Sequence, residues 1–371
     1  MSFVKTGGFR GLQSDSDDIK IDSSGNVAII NSNIVNRNLL INGGMNIWQR
    51  STSTSVSTDT YSTVDRWKTR VGNQGAFTVS RSTDVPSAQG FGYSTKWDCT
   101  TADASPAASD FIVFEQRIEG QNLQHLLKGT SSAKAVTISF WIKTNKTGTY
   151  ICELLDFDNS RNISKSFTIS SSSTWEKITL TYDGDTSGAI GNDNGFSFAV
   201  MIWLGAGSDF TTGTLQTSWG TVGTNRATGV VNLADSTSNE LYITGCQLEV
   251  GEAATDFQFE PYDTTERKCM RYYYQYGGAV RFFRADARSA NRQSFSETRE
   301  HPVVMRANPL HTFSGTPSLH HHWIAIQTGY SSWSVGASYV TVQETIFPNN
   351  NYPDSQMWSF EGVTRKYNAE L

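Results

Sequence analysis

The sequence contains no C-x-x-C pair, no apolar run that approaches a membrane span, and no excess of basic charge. Cys99, Cys152, Cys246 and Cys269 stand far apart, and a chain of 371 residues does not need them as staples. They read as buried thiols. The histidines are not spaced to complete a zinc cluster with them. A membrane helix needs about 20 consecutive apolar residues, so no membrane insertion is expected. "MSFVKTGGFRGLQSDSDD" lacks an apolar h-region, so no secretory signal is expected. The formal net charge of −5 argues against a general nucleic-acid binder, which needs a basic face to displace phosphate counterions.

What is present points to β-structure. Aromatics reach 12% while charged residues make up only 18%, and Ser, Thr, Gly and Asn fill much of the rest. Thr and aromatics suit pleated surfaces, and Gly, Asn and Asp make corners. Residues 1–36 carry a hairpin pattern, "DIKIDSSGNVAII", too small to form a core alone. Residues 37–263 read as one all-β domain. Strand candidates include "FTVSRSTDV", "YSTKWDCTT", "FIVFEQRIE", "TYICELLDF", "WEKITLTYD" and "FSFAVMIWLG". In "ISFWIKT", Ile138, Phe140 and Ile142 face one way and Ser139, Trp141 and Lys143 the other. "GQNLQHLLKG" reads as a connector turn stopped by Gly129. Residues 264–371 form a second unit. It opens on a short helix with Asp263 as N-cap and Glu266 three residues on, and continues as a small β-sandwich.

"YITGCQLEVGEAATDFQFEPY" closes the first domain. As a strand it puts Tyr242, Thr244, Cys246, Leu248 and Val250 on one face. Gly251 breaks the alternation, and an aromatic zigzag of Phe257, Phe259 and Tyr262 follows.

That stretch, with "NLLINGGMNIWQR", "YSTVDRW", "ISFWIKTNKTGTY", "TWEKITLTYDGDTSG" and "DNGFSFAVMIWLGAGS" before it, resembles virion proteins of tailed bacteriophages. These are tail-fibre and tail-appendage proteins with a jelly roll similar to carbohydrate-binding modules. The order of the segments carries the resemblance, over residues 38–276. It implies a jelly-roll β-sandwich, a short helix and a distal sandwich. It also implies a homotrimer in the virion, assembled in the host cytoplasm. The N-terminal segment 1–36 would attach to other tail proteins, and the particle would recognise a bacterial surface glycan without catalysis. The rival readings are a purely structural adaptor, nozzle or head-decoration protein, and a polysaccharide depolymerase.

Candidate residues fall into two groups. Aromatic planes bury the C–H faces of sugars. Tyr330 in "TGYSS", Trp333, Tyr352 in "NNNYPDS" and, on the jelly roll, Trp219 are the candidates for this role. For an ion, "HHHW" puts His320 and His322 on one strand face, where three chains would bring six imidazoles to an axis. "DGDTSGAIGNDNG" places Asp183 and Asp185 as in a calcium loop, but its twelfth position is Asn194 and not the bidentate Glu. A polar interstrand loop and surface histidines are the plainer readings, and no cofactor is expected. No G-x-S-x-G elbow supports nucleophilic catalysis.

Overall fold

The computed structural model describes residues 19–21, 27–29, 37–277, 280–282, 285–287, 293–321, 324–327, 330–348 and 358–371. The protein is all-β, as the pattern of short strands predicts. An antiparallel hairpin pairs β1 (Ile19–Ile21) with β2 (Val27–Ile29). The jelly roll is built from β3 (Ser53–Val56), β4 (Trp67–Gly72), β5 (Ala76–Ser82), β6 (Ser94–Thr101), β7 (Phe111–Glu119), β8 (Val136–Thr144), β9 (Gly148–Asp156), β10 (Arg161–Ile169), β11 (Glu176–Tyr182), β12 (Phe196–Ala206), β13 (Gly220–Thr221) and β14 (Glu240–Val250). A front sheet runs β11-β8-β14-β6-β5-β3 and a back sheet β13-β10-β9-β12-β7-β4.

Alternation along each strand fills the space between the sheets. Ile138, Phe140 and Ile142 of β8 meet Tyr150, Cys152 and Leu154 of β9 and Phe198, Val200 and Ile202 of β12. Trp67 stacks on Phe114 at 4.7 Å between ring centroids. All four cysteines are free and buried.

The alternation predicted for β14 fails in the middle. Leu241 and Ile243 face the core, and so do Cys246 and Leu248, so the strand changes parity. The register against β8 slips between Thr244 and Gln247. Gly245 makes the slip possible, because its φ of 65° lies where side chains are strained and a Cβ there would meet the Phe91 ring at 2.5 Å. Tyr242 and Thr244 therefore point to the opposite face from Cys246 and Leu248. The connector after β7 is two 3₁₀ turns, Gly120–Asn122 and Gln124–Leu126, followed by Leu127 in the left-handed region.

A four-residue helix, α1 (Ser208–Thr211), belongs to the excursion between β12 and β14. Helix α2 (Tyr262–Met270) leads out of the jelly roll. It starts two residues earlier than the sequence suggests. Pro261 is the N-cap without a side-chain bond, and Asp263 sits in the first turn, where the helix dipole favours a carboxylate.

The distal unit has two sheets. One orders β15 (Tyr273–Gly277), β23 (Trp358–Asn368), β19 (Leu310–His321) and β20 (Ile324–Gln327), with β16 (Val280–Phe282) also on β23. The other orders β17 (Ala285–Ala287), β18 (Gln293–Glu300), β22 (Thr341–Pro348) and β21 (Tyr330–Ala337). Among the described residues a small apolar cluster of Tyr274, Met305, Val342, Tyr367 and Ala369 lies beside buried polar groups. Buried Glu344 accepts from Arg365 at 2.8 Å and from Arg299 at 2.5 Å. Tyr274 bonds His301 at 2.6 Å.

The chain leaves the jelly roll at α2 and returns to it. Arg66 pairs with Glu370, and Tyr61 and Arg117 donate to the Leu371 carbonyl at 3.0 and 2.9 Å. Arg271 meets Glu119 through two bonds of 2.9 and 2.7 Å. Asp65 lies under this seam, with Gln49 donating to it and Arg50 at 3.8 Å. Burial outweighs these partners and pushes the Asp65 carboxyl up to about 6.

A raised carboxyl pKa means that the folded state holds its proton longer than the unfolded state. The stabilising contribution is present at low pH and is lost as pH rises through about 6, by at most about 3 kcal/mol. We expect Asp65→Asn to melt at or above wild type at pH 7.5, with the difference shrinking towards pH 5. Thermal melts at the two pH values check this. A variant that is less stable at both would show that the carboxylate is needed ionised.

Candidate functional site

The two outer faces of the jelly roll differ. On the back sheet, Val113, Ile151, Ala199, Met201 and Trp203 point away from the main core. The excursion between β12 and β14 covers them with Phe210, Leu215, Ala227 and Val230. Under this cover Glu153 accepts from the Trp203 indole at 2.8 Å and from Arg226 at 2.8 and 3.1 Å. Burial raises the Glu153 carboxyl even against Arg226. That face is closed.

The front sheet's outer face is open. Register places Lys177, Trp141 and Thr244 side by side across β11, β8 and β14. One step along, Lys143 lies beside Tyr242, which neighbours Lys96 of β6. Trp175 packs edge-on to Tyr242 at 6.2 Å, and its indole donates to Asp84 at 2.9 Å. Lys143 also pairs with Asp84. Burial acts to raise the Asp84 carboxyl, but the hydrogen bonds from Lys143 and Trp175 outweigh it and hold the group below its usual range. This row is a braced, charged aromatic shelf.

Beside the shelf opens a pocket of about 360 Å³. Half-buried Trp141 lies on the sheet at its floor, and the wall is the aromatic zigzag. Phe257, Phe259 and Phe91 form a three-ring cluster with centroids 4.9 to 5.3 Å apart. Phe259 keeps 54% of its surface exposed, so the cluster is not sealed as core. Ser139, Gln89, Lys177 and Asp256 line the same pocket. None of these four side chains spends a hydrogen bond or ion pair on another described residue. A flat indole, apolar walls and a few uncommitted donors and acceptors suit a polyhydroxylated ring.

The residues singled out from sequence lie elsewhere. Tyr330 opens β21 as a strand residue paired with Pro348, and Trp333 follows on the same strand. His320 is on β19. His322 and Tyr352 lie outside the described residues. Trp219 tilts against Phe198 at 6.2 Å and donates its indole N–H to the Asp183 carbonyl at 2.7 Å.

The calcium-loop reading needs correction. Asp183 is exposed and binds through its backbone only. Asp185 is buried, and Arg161 meets it at 2.8 and 3.0 Å. The oxygen cage is real, but the cation in it is the Lys128 ammonium. It contacts Asp156, Asp185 at 2.9 Å, and the carbonyls of Ser187 and Gly188 at 3.2 and 2.9 Å, and it lies 5.2 Å from the Trp219 ring. Among the described residues no group of three or more His, Cys, Asp or Glu side chains is placed to hold a metal.

The sequence signal for the open site was the aromatic at the polar position of "ISFWIKT". Its partners could not be read, because Phe91, Phe257 and Phe259 come from distant loops.

No protein-family model matches the chain, and no curated protein matches it. Solved structures similar to it include the enzymatically active domain of a tailspike protein from bacteriophage CBA120. It is 13% identical, with a TM-score of 0.31, over 58% of this chain and 22% of that one. A family 61 carbohydrate-binding module in complex with β-1,4-galactotriose is 10% identical, with a TM-score of 0.29, over 58% of this chain and 99% of that one. The family 11 module of a Clostridium thermocellum cellulosomal cellulase is 11% identical, with a TM-score of 0.27, over 56% and 100%.

Proposed function

We propose that this protein is a non-catalytic glycan-binding component of a phage tail appendage, and that it holds saccharide on the front sheet around Trp141. The observation that carries the binding role is the pocket itself. It joins a half-buried indole on an outer sheet face to a three-phenylalanine wall and to polar side chains with no partner among the described residues. The phage setting rests on the order of sequence segments from residue 38 to residue 276. Among the described residues Asp256 is the only carboxylate lining the pocket, whereas glycosidic hydrolysis uses a pair. This supports binding without cleavage.

Incubation with purified bacterial envelope polysaccharides tests the reading. Retention of the protein on the polymer with chain length unchanged is expected. Shortened chains would make it a depolymerase, and no retention on any envelope glycan would leave a structural virion role.

The same proposal includes a homotrimer attached through residues 1–36. The distal sandwich buries the charged Arg365–Glu344–Arg299 network, whose desolvation cost favours added burial between chains. Light scattering at micromolar concentration is expected to give three chains per particle. A stable monomer would contradict it. Deleting residues 1–36 should leave a folded protein that no longer joins particles.

A further inference from the structure

A second cleft, of about 510 Å³, lies where α2 and the C-terminal return meet the jelly roll. It shares no lining residue with the pocket around Trp141. Arg66, Arg117, Lys268 and Arg271 line it, together with His125 and Asn122, and no carboxylate does. The four cations do have counter-ions: Glu370 for Arg66, Glu115 for Arg117, Glu260 for Lys268 and Glu119 for Arg271. All four of those carboxylates stand outside the described lining, so the side chains that face the cleft are the cationic partners of these pairs.

Several donors there remain uncommitted. Arg117 binds Glu115 through Nε and the Leu371 carbonyl through Nη1, which leaves Nη2. The side chains of Asn122 and His125 are exposed and have no partner among the described residues. Arg66 is buried together with its Nε and contributes charge behind the wall but no free donor. Leu39, Ile41 and Ile118 supply apolar surface in the same cleft.

We infer that this cleft is a second binding site, specific for an acidic saccharide whose carboxylate meets Arg117 Nη2, Asn122 and His125 beside Lys268 while its ring lies on the apolar residues. A free inorganic anion would leave most of the volume empty and the apolar residues unused. A cleft of this size matches one or two sugar rings, within the roughly 300–1,000 Å³ range of ligand pockets. Arg271 and Arg66 spend both Nη groups within the protein, so the free Arg117 Nη2, the Asn122 amide and the His125 ring are the donors a carboxylate would meet.

The full-length protein is titrated with an oligogalacturonate, with the corresponding neutral galactose oligomer, and with polyglutamate. The oligogalacturonate is expected to bind Trp141→Ala as tightly as it binds wild type, and to weaken as salt is raised. Asn122→Asp places a like charge at the exposed rim and is expected to weaken it by about tenfold, with neutral-oligomer binding unchanged. Lys268→Gln should weaken it in the same direction, and unchanged melting temperatures for both variants show that the fold is kept. Three results would overturn the inference: no binding of the acidic oligomer, binding lost in Trp141→Ala but kept in Asn122→Asp, or equal competition by polyglutamate, which would make the site a protein-docking cleft. Loss of neutral-oligomer binding alone would count against the Trp141 pocket and leave this cleft standing.

Discussion

Replacing Trp141 with alanine should cut glycan affinity by about 30-fold or more, while the melting temperature barely moves. The size follows from the geometry. Central aromatic anchors in an otherwise polar contact cost 2 kcal/mol or more when truncated, and each 1.4 kcal/mol is tenfold. Trp141 stands on the outer face and is half-buried, so the jelly-roll core does not depend on it. Trp67 gives the opposite pattern. It is fully buried against Phe114, and Trp67→Ala should cost about 3–5 kcal/mol of stability before it affects binding. Isothermal titration beside thermal melts separates the two. If Trp141→Ala binds as well as wild type, the front face is not the site. Phe259→Ala should show a smaller loss in the same assay, since its ring forms one wall of the pocket.

Replacing Lys128 with alanine should destabilise the protein strongly and create a calcium dependence that the wild type lacks. The ammonium fills a cage of two buried carboxylates and two backbone carbonyls. Removing one partner of a buried ion pair costs about 3–5 kcal/mol, because the remaining charge stays desolvated. For a jelly roll of this size that corresponds to a fall of roughly 10 °C in melting temperature. Arg161 still meets Asp185, but Asp156 loses the ammonium it pairs with directly. The vacated oxygens are hard ligands of the kind calcium accepts, so millimolar calcium should restore part of the loss by mass action. Wild type should be indifferent to calcium. A Lys128→Ala protein as stable as wild type would show that the cage contributes little.

Much of the architecture was legible in the sequence, and the exceptions have physical causes. β8 could be read residue by residue, since strict alternation of Ile138, Phe140 and Ile142 with Ser139, Trp141 and Lys143 matches a strand buried on one face. β4 escaped notice. Its buried Trp67, Thr69 and Val71 alternate with Lys68 and Arg70, and a polar turn region precedes it. β14 was found, but its second half was assigned to the wrong face. A bulge shifts parity by one residue, and a lone glycine in a strand is the faint trace it leaves.

The ion cage shows a different limit. Asp185 and its loop were visible as cation ligands, and they do hold a cation. Its source, Lys128, comes from the connector after β7, and only the fold brings the two together. Three of the four aromatic candidates, Tyr330, Trp333 and Tyr352, came from the distal unit, where aromatics are dense in the sequence, and the fourth, Trp219, from the jelly roll. Exposed rings occur on both units, Phe157 and Phe259 on the jelly roll and Phe313 and Tyr339 on the distal one, and the proposed site is set apart by the pocket beside Trp141.

The central claim is that saccharide binds at Trp141 on the front sheet. The chain has 10 tryptophans, and fluorotryptophan labelling gives each its own ¹⁹F resonance, assigned by single Trp→Phe variants. On titration with host envelope oligosaccharide, the Trp141 resonance should shift most and Trp175 next. Trp67, Trp97 and Trp203, all fully buried, should stay in place. Shifts confined to Trp333 or Trp358 on the distal unit, with Trp141 unmoved at saturation, would contradict the account.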